Sequence, residues 1–78
     1  MDTAEALRII DAAADRSGET EGATDETIEA LRHLRDLGVE RPALVWFWQS
    51  LHIANEIGRS QNANASRNRI RLLVREMG

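Results

Sequence analysis

Arg41-Pro42-Ala43-Leu44-Val45-Trp46-Phe47-Trp48-Gln49-Ser50, running on as Leu51-His52-Ile53-Ala54-Asn55-Glu56-Ile57-Gly58, is the stretch that decides the fold. Pro42 suits the first turn of a helix, where its missing N–H would have no partner anyway. At roughly 100° per residue, Leu44, Phe47, Trp48, Leu51 and Gly58 share one face. Trp46, Ile53 and Ile57 lie about 130° round from it at the same pitch, with Ala43 and Ala54 between. Only Val45, Gln49, His52, Glu56 and Arg59 are left to face solvent. A helix apolar over more than half its girth belongs inside a bundle, or inside it and against a partner. The expectation is a helix over about 42–57 within a largely buried central segment of about 41–58.

Working outward, the flanking segments are helical as well. Towards the N-terminus, Thr24 or Asp25 caps a helix over about 25–37, and Asp25, Glu26 and Glu29 favour its positive end. Ile28, Leu31, Leu34 and Leu37 form its apolar stripe. Gly38 sits where a left-handed residue closes a helix, with Val39 packing back on Leu34 as in a Schellman motif. Further back, Asp2 and Glu5 make a capping box for a helix over about 3–17, built on Leu7, Ile10 and Ala14. Residues 18–23, glycine-punctuated and acidic, read as a flexible loop. Towards the C-terminus a last helix starts at 61 if Ser60 caps it, or near 66 if Ser66 does. It presents Ala63, Ile70, Leu73, Val74 and Met77 to the core. Strand signals are missing, and Ala, Leu, Glu and Arg are abundant. The expected fold is all-α, a small three- or four-helix bundle forming one domain over 1–78.

The chain has 78 residues and no cysteine, so no disulfide reinforces a core that is marginal at this length. Self-association is one remedy, and a homodimer is expected. The N-terminus has no basic region followed by an apolar run, and no stretch approaches the ~20 apolar residues of a membrane span. A cytoplasmic, non-membrane protein is expected on that ground.

Charge divides along the chain. Residues 1–40 hold eleven Asp and Glu against four Arg, and residues 41–78 hold six Arg against two Glu, for an overall −3. Arg67, Arg71 and Arg75 form a ladder at i, i+4 and i+8, flanked by Asn64 and Asn68. Guanidinium forks and amides suit phosphates and base edges, but equally a solvated face or the chain's own acidic half. Asp11, Asp15, Glu19, Glu21, Asp25, Glu26 and Glu29 gather near the first loop. Such a cluster could occupy a basic groove that normally holds nucleic acid. Trp46, with Ile53 and Ile57, is the candidate apolar contact, since tryptophan is enriched at binding hot spots.

Catalytic chemistry has little to stand on. His52 and Glu56 lie one turn apart but lack a third metal ligand. No nucleophile stands beside a base in a known pattern, and no glycine-rich phosphate loop occurs. Neither a cofactor nor a small-molecule substrate is expected, and the chain reads as non-enzymatic.

One local resemblance remains. Ile53-Ala54-Asn55-Glu56-Ile57-Gly58 resembles the first helix and turn of the helix-turn-helix family, with small residue, glycine and buried aliphatics in place. It implies a small DNA-binding regulator that uses Arg67, Arg71 and Arg75 on its last helix. Beyond Gly58 the pattern stops, because Asn64 and Arg67 fall where that family buries apolar residues. A net negative charge also opposes a phosphate backbone. The first expectation is therefore a protein-binding module, an adaptor or inhibitor that occupies a partner protein's surface. An acidic competitor of a nuclease or CRISPR complex is one form of it. DNA binding ranks second.

Overall fold

A computed structural model describes residues 1–16, 24–52 and 56–78, with the side chains of 56–60 excepted. Four helices are seen: α1 (Thr3–Arg16), α2 (Asp25–Leu37), α3 (Arg41–Ser50) and α4 (Glu56–Met77). No strand occurs among the described residues. The all-α bundle expected from sequence is what forms.

The first two helices are delimited by local chemistry. The Glu5 amide donates to Asp2 Oδ1 at 2.8 Å, starting α1. Thr24 is the N-cap of α2. The Thr27 amide donates to Thr24 Oγ1 (3.3 Å), and the Thr24 amide returns a bond to Thr27 Oγ1 (3.4 Å). This is a capping box with threonine in the place usually held by Glu or Gln. At the other end Gly38 adopts φ 118°. Its amide donates to Arg35 O, and the Val39 amide donates to Leu34 O. That is the full Schellman pair, and both Val39 and Leu34 are buried.

The third helix departs from expectation. It ends at Ser50, and Leu51–His52 form a turn, so a single helix over 42–57 does not exist. At this end the Ser50 hydroxyl donates to Phe47 O at 2.6 Å, the carbonyl one turn before Leu51. Leu51 and His52 donate instead three residues back, to Trp48 O and Gln49 O, which tightens and closes the turn. Nor does α3 occupy the centre of the bundle. Val45 and Trp46 are exposed, as are Arg41, Pro42 and Gln49.

The fourth helix starts earlier than either expected cap. It begins at Glu56, and Ser66 lies in its interior, where its hydroxyl donates to Asn62 O at 2.8 Å. Middling helix formers at 62–66 are overridden because Ala63 and Ser66 are both fully buried against neighbours. At ~1.5 Å per residue, 22 residues run about 33 Å. The molecule's long dimension is 34 Å.

Two helical hairpins make up the architecture. α1 packs on α2, α3 packs on α4, and the hairpins join through α1 against α4. The spatial order is α2–α1–α4–α3, and α2 scarcely touches α3. Where helices meet closely the side chains are small: Ala6, Ala13, Ala14, Ala30, Ala63 and Ser66 are buried. Phe47, Ile10, Leu34, Leu51 and Ile70 supply the bulk. Two expected stripes are rotated. On α2 the inward residues are Thr27, Ala30 and Leu34, with Ile28 and Leu31 partly buried and Leu37 exposed. On α4 Ala63 and Ile70 are buried, but Met77 is exposed.

Candidate functional site: the outer faces of the second and third helices

The spatial order of the helices leaves α2 and α3 as outer members with a gap between them. That gap is a groove of about 360 Å³. Ile28 and Leu31 of α2 form one wall, and Leu44, Val45 and Trp48 of α3 form the other. Trp48 is partly buried, and its indole tilts against His52 with ring centroids 4.8 Å apart. Three guanidiniums rim the groove, from Arg32, Arg35 and Arg41. Among the described residues Arg35 meets the adjoining Asp36, at 3.3 Å, and that pair is open to solvent. Arg32 and Arg41 have no carboxylate partner among the described residues.

Trp46 occupies the opposite flank of α3, roughly 150° round from the groove at ~100° per residue. It is 46 % exposed and sits beside Pro42, Ala43 and the Arg69–Glu40 ion pair (3.2 Å). The hydrophobic core closes without it, since Phe47 and Leu51 fill the interior of this helix pair. Of the other two expected apolar contacts, Ile53 lies outside the described residues. Ile57 falls on the first turn of α4, and its side chain is likewise outside them.

The arginine ladder is spent largely within the chain. Arg71 grips both carboxylate oxygens of Asp11, with Nε at 3.0 Å from Oδ1. Arg67 donates to Asp15 Oδ1 at 3.0 Å and stands 3.9 Å from Asp11. These contacts tie α4 to α1 across the hairpin junction. The hydrogen bond it donates to Asp11, aided by that carboxylate's charge, holds the Arg71 guanidinium above its usual pKa against slight desolvation. Arg75 is exposed and unpaired among the described residues. Asn68 is exposed and Asn64 partly buried.

Two members of the acidic cluster are the partners of Arg67 and Arg71. Asp11 and Asp15 are engaged with α4. Asp25 and Glu26 stand exposed on the first turn of α2. Glu19 and Glu21, with the rest of the expected loop over 18–23, lie outside the described residues. His33 is tied to Thr3 Oγ1 at 3.2 Å, linking α2 to α1. Among the described residues no three His, Asp or Glu converge to hold a metal, and no helix is long and apolar enough to cross a membrane. Gly58, the turn glycine of the helix-turn-helix resemblance, lies inside α4 and not between two helices.

Sequence reasoning missed the groove. Arg32, Arg35 and Arg41 form no ladder like that of the last helix, and helical phase puts Val45 on the solvent stripe. No spacing signal marks these arginines, since Asp36 lies four residues on from Arg32 and Glu40 adjoins Arg41. No family model, curated protein or solved structure matches this chain.

Proposed function

We propose that this chain is a small non-enzymatic protein-binding module, of the adaptor or inhibitor kind, which works by occupying the surface of a partner protein. The observation that carries the reading is the exposed indole of Trp46 on a helix whose core side is already filled by Phe47 and Leu51. A tryptophan not needed for packing is costly to leave in water, and large aromatic anchors dominate binding energies at protein interfaces. The DNA-binding reading is weaker on the same geometry. Arg67 and Arg71 face Asp15 and Asp11, and would have to leave them to reach a phosphate.

The test compares wild type with Trp46→Ala and with Arg71→Ala, each as bait after nuclease treatment. Trp46→Ala should remain folded, losing less than ~1 kcal/mol as expected for an exposed site, and should lose the captured partner. Capture that is indifferent to Trp46 and abolished by nuclease would reverse the ranking in favour of nucleic acid.

A further inference from the structure

The groove between α2 and α3 combines two properties that restrict its occupant. Its walls are aliphatic and aromatic, from Ile28, Leu31, Leu44, Val45 and Trp48. Its rim carries Arg32, Arg35 and Arg41, of which, among the described residues, Arg35 is paired with Asp36. In a chain of net charge −3, Arg32 and Arg41 have no carboxylate partner among the described residues, whereas Arg67, Arg69 and Arg71 are each engaged by a carboxylate of another helix or linker. An apolar occupant alone would leave the guanidiniums unused. An anion alone would leave the apolar walls wet.

We infer that this groove receives an acidic amphipathic helix of the partner protein, with aliphatic side chains pointing inward and carboxylates along its flanks. This rests on the protein-binding reading and adds the chemistry of the partner segment. A helix suits the site because the walls are themselves two helices, of 13 and 10 residues, which at ~1.5 Å per residue offer a trough about 15–20 Å long. That length admits apolar anchors at i, i+4 and i+7. An extended strand would need an exposed sheet edge to pair with, and the described residues contain no strand. Arginine can lay its aliphatic stem along the apolar wall while its fork meets a carboxylate in two-point geometry.

The experiment uses the full chain and two synthetic helical peptides. Both carry leucine at i, i+4 and i+7; one has glutamate on its flanks and the other lysine at the same positions. Binding is read by fluorescence anisotropy of the labelled peptide. The acidic peptide should bind at least ~10-fold more tightly than the basic one, and raising salt from about 50 to 200 mM should weaken it several-fold. Arg32→Glu with Arg41→Glu should abolish the preference, with helical content unchanged by circular dichroism. The milder pair Arg32→Gln with Arg41→Gln should reduce it in part. Equal binding of the two peptides, or a preference untouched by the arginine changes, would overturn the inference. So would light scattering that shows a dimer lost in the Arg32→Glu, Arg41→Glu protein, since a second copy would then be the occupant. If Trp46-dependent capture persists while the acidic peptide fails to bind, the groove assignment falls alone. If the peptide binds as expected and capture ignores Trp46, the Trp46 reading falls alone.

Discussion

At the scale of single residues, α2 owes its sharp limits to two positions. Thr24 opens it and Gly38 closes it; because caps are local chemistry, the sequence narrows the first to Thr24 or Asp25 and marks the second. Gly38→Ala should lower stability by about 1–2 kcal/mol in urea unfolding, since a Cβ at φ 118° is strained and would also come within 3.2 Å of Met77 Cε. The adjacent aromatics of α3 should separate cleanly. Phe47 has no exposed surface, so Phe47→Ala should cost about 3–5 kcal/mol. Trp46, its neighbour, should cost far less, and the contrast measures how completely the core closes without the indole. Ser50 was illegible by comparison. A serine in an apolar run can continue a helix or end it: Ser50 stands at the end of α3 and Ser66 inside α4, and both hydroxyls bond a carbonyl of the preceding turn.

Between elements, the contact of α1 with α4 is built on charges that lie far apart in sequence. Arg71 meets Asp11 across sixty positions, a pairing no spacing rule exposes. The ladder was visible as a pattern, but its partners were not. Because these side chains are partly solvated, Asp11→Asn should cost less than ~1 kcal/mol, and the loss should shrink in high salt. The pH dependence has a definite sign. A base whose pKa is raised on folding stabilises the fold below its unfolded value and loses that contribution only as pH rises through the folded one. For Arg71 both values lie far above neutral, the folded one the higher, so its contribution should be flat between about pH 6 and pH 10 in urea titrations. The groove was hidden for a related reason. Its walls are consecutive helices, yet the space between them exists only because α1 and α4 intervene in the packing order, and packing order is a property of the assembled chain.

For the molecule as a whole, the two hairpins meet through one pair of helices and are linked by Val39 and Glu40 beyond the Gly38 turn. Each hairpin buries its own interface and offers the other a complementary docking face, acidic on α1 and basic on α4. Nothing in that arrangement requires the two halves to come from one chain. If the Gly38 turn straightens, the α3–α4 hairpin of one copy can seat on the α1–α2 hairpin of another and recreate the Arg71–Asp11 and Arg67–Asp15 contacts between subunits. This is three-dimensional domain swapping, in which dimerisation reuses intramolecular contacts. The left-handed turn at Gly38 is therefore a guard on monomeric closure as well as a helix stop, and replacing it should populate a slowly exchanging dimer of twice the 8.8 kDa chain mass at high concentration.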